Sequence, residues 1–203
     1  MTRYVLLLAL LLIAFAPQAY AETYQSAFGF TFDVPSHWVA VTKQEIQDNA
    51  AGIDTASKSA AFRLVDPRLM EKIADEVTSG SAEIYLNQAT ASSAFVDNMD
   101  IVQRTNRIAD DPRYFNAFCP ALAEELTKAF GRSIQVHRCE ASYWDKHFAL
   151  YTEFDGAVQG TRSLQYQIQK APGKTIVITA TAKNHTLGQT RADFERMMRS
   201  VRF

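Results

Sequence analysis

The second half of the chain contains four short segments that have the composition of strands and are separated by turn residues. They span residues 133–141, 146–154, 162–169 and 174–182. Ala171-Pro172-Gly173-Lys174 places Pro and Gly where a type II turn requires them. Because strands joined by short connections usually lie side by side, the segments predict a four-stranded antiparallel meander.

Alternation along these segments predicts one core face and one polar face, since successive side chains of a strand point to opposite sides. The positions assigned to the core face are Leu164, Tyr166, Ile168, Ile176, Ile178, Ala180, Phe148, Leu150 and Phe154. Those assigned to the polar face are Gln165, Gln167, Gln169, Thr179, Thr181, Tyr151 and Glu153. Cys139 and His137 fall on the polar face unless a bulge shifts the phase.

Helix signals flank the meander. An apolar stripe with a following glycine predicts a helix over 118–130, and a final helix is predicted near Thr190, with Asp193 in a capping box. Earlier in the chain we predict strands over 28–34, 39–41, 61–65 and 82–87, a short helix after Thr42, a loop over 49–59 and a helix from Asp66 to Gly80. The stretch 90–115 is ambiguous, with Phe95, Met99 and Val102 spaced as a helical face. The fold class is therefore α+β.

The first 21 residues have the pattern of a secretory signal peptide. Arg3 precedes an apolar run, and Ala19-Tyr20-Ala21 is a small-x-small cleavage site before Glu22. A membrane-spanning helix needs about 20 apolar residues, and Pro17 and Gln18 end this run before that length is reached. We therefore expect a single domain over 22–203, located in the periplasm or secreted, and not integral to a membrane.

Charge excludes one class of partner. The chain carries 21 Lys and Arg against 22 Asp and Glu, a net charge of −1. Nucleic-acid binding proteins need a clearly basic balance, so we expect no nucleic-acid partner.

Cys119 and Cys139 are the two cysteines of the chain. In an oxidising compartment a pair is most simply a disulfide, which here would tie the start of the 118–130 helix to the polar face. Three alternatives stay open. The cysteines could bind a metal together with His137, Cys119 could act as a nucleophile with His137 as its base, or both could be free thiols.

The two ends of the chain carry a family resemblance. The run Phe28-x-Phe30-x-Phe32-x-Val34-Pro35-x-x-Trp38 and the ending Ser200-Val201-Arg202-Phe203 resemble those of PsbP-like proteins. The resemblance implies a central antiparallel sheet flanked by helices, an α/β/α sandwich. It also implies an accessory or binding role without catalytic residues.

No motif for catalysis, phosphate binding or calcium binding occurs in the sequence, so we expect no catalytic, cofactor-binding or metal-binding residues and no cofactor. His137 and His147 could still meet a carboxylate and a nucleophile in the fold, which would indicate a hydrolase.

The better functional candidates are surfaces. Exposed aromatic and amide side chains suit protein binding, and the predicted partner surface is formed by Tyr143, Trp144, Tyr151, Gln165 and Gln167. We expect the partner to be an envelope or secreted protein. An alternative is a small-ligand or lipid-binding module, with Phe194, Met197 and Met198 lining a pocket between sheet and helix.

Overall fold

The computed structural model describes residues 21–43, 75–92, 95–108 and 112–203. In chain order the strands are β1 (Ala21–Ser26), β2 (Phe30–Pro35), β3 (Trp38–Val41), β4 (Ala82–Asn87), β5 (Asn98–Arg104), β6 (Val136–Trp144), β7 (His147–Asp155), β8 (Thr161–Ala171) and β9 (Lys174–Lys183). The α-helices described over their full length are α1 (Pro112–Phe130) and α2 (Leu187–Ser200), and a 3-10 turn covers Gln88–Thr90.

Seven of these strands form one antiparallel sheet in the order β3-β4-β5-β9-β8-β7-β6, while β1 and β2 form a separate hairpin. The predicted meander is confirmed as β6 to β9, with each strand paired to the next. Its last turn has Gly173 at φ +67°, the left-handed conformation that the third position of a type II turn requires. β6 is therefore an edge strand, and β5 and β9 pair at the centre of the sheet.

The β1–β2 hairpin and α2 cover one side of the sheet, which we call the α2 face. The core here joins β2 side chains such as Phe30 and Phe32 to Phe194 and Met197 of α2, over Ile178 of the sheet. The two segments that carry the family resemblance pack against each other on this side. Backbone hydrogen bonds of 2.9 Å run in both directions between Thr31 and Arg202.

The other side of the sheet, the α1 face, is held to α1 by a disulfide between Cys119 and Cys139, with Cα atoms 5.8 Å apart. Phe115 of α1 packs against Phe148 of β7 at a ring distance of 5.4 Å. Helices therefore lie on both sides of the sheet, and the predicted α/β/α arrangement is confirmed. A separate small cluster on this face joins Val77 to β3 and β4.

Four predictions about these elements need correction. α1 begins at Pro112 and α2 at Leu187, each earlier than predicted. The helical reading of Phe95, Met99 and Val102 is wrong, because β5 is a strand whose core side chains Met99 and Ile101 are two residues apart. The capping box is also wrong, since the Thr190 hydroxyl donates to Asp97.

The phase predicted for β7 is wrong as well. Tyr151 lies opposite Tyr166 and Glu153 opposite Leu164, so both point to the α2 face, whereas Leu150 lies opposite Gln167. The interior of β7 is buried at successive positions because both faces are covered there. Apolar residues then occupy both parities, and alternation cannot distinguish the faces.

Several predictions fall outside the described residues: the signal peptide over 1–21 except for Ala21, the helix after Thr42, the loop over 49–59 and the strand over 61–65. The predicted helix end at Gly80 is described. Ser81 donates to the Glu76 carbonyl and Gly80 to the Val77 carbonyl, a Schellman motif with Gly80 at φ +76°. In the part of the chain that the structure describes, no helix has the length and apolarity needed to cross a bilayer.

Replacing both cysteines by serine, as C119S/C139S, should lower the free energy of unfolding by about 3 kcal/mol. The bond closes a loop of 20 residues, which removes conformational entropy from the unfolded chain. Urea unfolding monitored by circular dichroism measures the loss, and wild-type protein treated with a dithiol reductant should match the variant. A difference below about 0.5 kcal/mol would show that the bond does not constrain the unfolded chain.

Candidate functional site

Three aromatic side chains lie side by side on the α2 face, near the β6 edge of the sheet. Tyr151 of β7 and Tyr166 of β8 are opposite residues with ring centroids 4.8 Å apart, and Trp144 of β6 lies 5.5 Å from Tyr166 in an edge-to-face arrangement. Phe194 of α2 follows at 5.9 Å from Tyr166. Such ring pairs are favourable beyond their buried area, so the cluster forms a preorganised apolar floor.

α2 packs over β2 and β9 and leaves this end of the sheet partly uncovered. The result is a groove of about 380 Å³, which we call the aromatic groove. Its floor is Trp144, Tyr151 and Tyr166, one wall is formed by β6, and the other by α2. Phe194 and Met198 line it but are almost fully buried, so they support the wall.

Charged side chains of both signs form the rim. On β6, the Arg138 guanidinium donates two hydrogen bonds to Glu140, at 3.1 and 2.8 Å, and lies 4.9 Å above the Tyr151 ring. On α2, Glu195 and Arg199 face the groove. Hydrogen bonding to Arg138 lowers the pKa of the Glu140 carboxyl, which favours the charged form of this rim residue. An apolar floor within a polar rim is the usual organisation of a protein interface.

Beneath the groove, a nearly buried carboxylate sets the orientation of β7. Glu153 is 5% exposed and accepts hydrogen bonds from Arg162 at 2.9 Å and Arg191 at 2.7 Å. Burial raises the pKa of Glu153, but the hydrogen bonds and charges of the two arginines outweigh this effect and lower it overall. Arg191 also donates to the Tyr151 hydroxyl at 3.3 Å. The same network therefore fixes Tyr151 in the groove floor.

The five residues of the predicted partner surface do not share one face. Trp144 and Tyr151 belong to the aromatic groove. Gln165 and Gln167 point to the α1 face, and so does Tyr143, which is 70% exposed. The five residues separate for two reasons: Tyr143 and Trp144 are neighbours within β6 and not in a turn, and the phase predicted for β7 is wrong.

Gln165 and Gln167 belong instead to a polar ladder across three strands of the α1 face. Gln167 donates to Gln165 at 2.8 Å, and Gln165 donates to the Thr179 hydroxyl at 3.1 Å. Thr179 also hydrogen-bonds Asp100 of β5. Burial raises the pKa of Asp100 to about 7. These side chains satisfy one another, as polar groups at a covered sheet face must.

Two histidines contact carboxylates. His37 lies 2.7 Å from Asp193, which also accepts from the Trp38 indole at 3.2 Å, and His137 lies 2.9 Å from Asp155. Within the described residues, neither histidine has a hydrogen bond to a serine, threonine or cysteine side chain. Asp193 serves to anchor the β2–β3 turn to α2, and the disulfide engages Cys119 and Cys139, which excludes both as ligands or nucleophiles while it is formed.

Metal chemistry finds no support in the part of the chain described here, where no group of three His, Cys, Asp or Glu side chains could hold an ion. Of the three residues predicted to line a pocket between sheet and helix, Phe194 and Met198 line the aromatic groove, whereas Met197 does not. All three are at most 2% exposed. Sequence reasoning missed Tyr166 and Arg138 as groove residues. The signal that identifies them is strand register, which places Tyr166 beside Tyr151.

No family model matches the chain, and no curated protein sequence matches it. Solved structures do. The cyanobacterial PsbP protein CyanoP from Synechocystis sp. PCC 6803 superposes with a TM-score of 0.54 at 13% identity, over 93% of this chain and 95% of that one. The chain has the PsbP-like fold.

A second structure with this fold is the Ran-binding protein Mog1p of Saccharomyces cerevisiae. It aligns with a TM-score of 0.50 at 10% identity, over 91% of this chain and 96% of that one. The PsbP-like fold predicted from the two chain ends is thus confirmed. At these identities the likeness establishes the fold alone.

Replacing Glu153 by glutamine should destabilise the protein by about 2 kcal/mol at pH 7. Breaking a fully buried ion pair typically lowers the free energy of unfolding by roughly 3–5 kcal/mol. We expect a smaller loss here because the side chains of Arg162 and Arg191 are partly exposed to solvent. A carboxyl group whose pKa is lower in the folded than in the unfolded protein stabilises the fold fully above its unfolded pKa, which is near 4.3 for Glu. This stabilisation is lost as the pH falls through the pKa of the folded state. Urea unfolding at several pH values should therefore show the difference between E153Q and wild type shrinking as pH falls below about 4.3, the unfolded value. A difference independent of pH would contradict the charge assignment.

Proposed function

We propose that this protein is an exported, non-enzymatic accessory protein that binds another envelope protein through the aromatic groove. The observation that carries the proposal is the row formed by Trp144, Tyr151 and Tyr166 beside α2, with ion pairs on the rim. Tryptophan, tyrosine and arginine are the residues that most often dominate binding energy at protein interfaces. Here all three types line one groove.

Rigidity of the floor favours binding further. Tyr151 is held by Arg191 through its hydroxyl and by ring contact with Tyr166. Trp144 is fixed at the end of β6, directly opposite His147. Because these side chains are already ordered, binding a partner costs little additional conformational entropy. Mog1p, which shares the fold, is described as a Ran-binding protein, so the architecture is compatible with protein recognition.

Export is part of the proposal because the apolar run before Ala21 has the features of a signal peptide. Ala21 itself is exposed at the start of β1, so cleavage after it would remove one exposed residue from the hairpin. The disulfide fits an oxidising compartment.

Substituting Trp144 by alanine should reduce capture of the partner from an envelope fraction at least tenfold, as expected for a central aromatic anchor. Immobilised wild type and W144A are compared by quantitative mass spectrometry. The matched control is V158A, which removes an apolar side chain that is 52% exposed in the β7–β8 turn, at the opposite end of β7. V158A should recover the same partner at the wild-type level.

Circular dichroism distinguishes a loss of binding from misfolding. The W144A result is interpreted only if the variant has the wild-type spectrum. Equal recovery by wild type and folded W144A would reject the groove as the binding site.

A further inference from the structure

A second cleft adjoins the aromatic groove at the end of the sheet where the β6–β7 turn meets the chain after α2. It has a volume of about 610 Å³ and we call it the turn cleft. Trp144 and Arg199 line both cavities, so the two are neighbours. The remaining lining residues are Tyr143, Asp145, Val201, Arg202 and Phe203.

The two arginines of the turn cleft have little carboxylate pairing. Arg202 donates to the carbonyls of Arg199 and Val201, at 2.9 and 2.7 Å, and forms no ion pair with a described carboxylate. Arg199 reaches Glu195 at 4.0 Å, the outer limit for an ion pair, and its side chain is largely exposed. Both guanidinium groups keep donors available for a bound anion.

Two lysines add to the positive charge here. Lys170 donates to the carbonyls of Phe28 and Gly29 and its ammonium lies 5.7 Å from the Phe203 ring centroid. Lys146 is exposed in the β6–β7 turn, next to Asp145, the one carboxylate side chain among the lining residues. The whole chain has a net charge of −1, so this excess of cations is local.

We propose that the partner enters the turn cleft with an acidic segment that carries one large apolar side chain. The apolar side chain packs against Trp144, and neighbouring Asp or Glu side chains pair with Arg199 and Arg202. The inference rests on the proposed function and adds the chemistry of the partner. Charge complementarity of this kind accelerates encounter and selects among partners more than it raises affinity.

The test selects from random dodecapeptides displayed on phage, using the purified wild type, the charge-reversed variant R199E/R202E and W144A. Wild type should enrich peptides that combine several Asp or Glu with one large apolar residue. R199E/R202E should lose these peptides and enrich neutral or basic ones, a switch that general destabilisation would not produce.

Affinity is then measured by fluorescence anisotropy with the most enriched wild-type peptide. R199E/R202E should weaken its binding by at least about tenfold, from two lost ion pairs at a partly screened surface. The control K128E/R196E changes the net charge equally through exposed cations that do not line the cleft, and should stay within about twofold of wild type. Raising the salt concentration should weaken wild-type binding, because it screens attraction, and should raise the residual binding of the reversed variant, because it screens repulsion.

The outcomes separate the two proposals. Peptides that depend on Trp144 but carry no acidic excess would overturn the inference and leave the aromatic groove as a binding site. Failure to select any peptide, or selection indifferent to Trp144 and to both arginines, would overturn both.

Discussion

The aromatic groove depends on the ion pairs that the Glu153 carboxylate forms with Arg162 and Arg191. A charged group that is 5% exposed needs compensation, and Arg162 and Arg191 supply it from a neighbouring strand and from α2. Because the side-chain period of a strand is two, fixing Glu153 toward α2 also fixes Tyr151 toward α2. The same constraint sends Leu150 to the face covered by α1.

The aromatic groove forms because Tyr151 and Glu153 of β7 point toward α2. Tyr151 meets Tyr166 across the β7–β8 pair and Trp144 closes the row at the sheet edge, while α2 provides the opposite wall. The two sides of the sheet thus serve different purposes. On the α1 face, polar side chains such as Gln165 and Thr179 satisfy one another beside a disulfide-held helix, and on the α2 face aromatic side chains are held in place near solvent.

Much of this fold could be predicted from local sequence. The meander and its Pro172-Gly173 turn are specified by alternation and turn chemistry, and β4 was predicted at its observed bounds. The resemblance at the chain ends also reflects real contact, since Thr31 and Arg202 pair. These features depend on neighbours in sequence or on short connections.

The candidate site could be predicted only in part, because register and burial on two faces are long-range properties. Trp144 and Tyr151 were predicted as surface residues from the sequence. Their contacts with Tyr166 depend on how β6, β7 and β8 pair, which local sequence does not specify. β5 was missed because Asp100 interrupts the apolar pattern between the core residues Met99 and Ile101. Asp193 looked like a helix cap, yet it contacts His37 and Trp38, which are about 155 residues away.

The orientation of β7 can be measured directly by nuclear Overhauser effects in the isotope-labelled protein. We predict contacts from the Tyr151 ring protons to those of Tyr166, and from the Trp144 indole to Tyr166, at the observed ring distances of 4.8 and 5.5 Å. Contacts from the Tyr151 ring to the side chains of Gln165 and Gln167, with none to Tyr166, would contradict the groove and the function proposed for it.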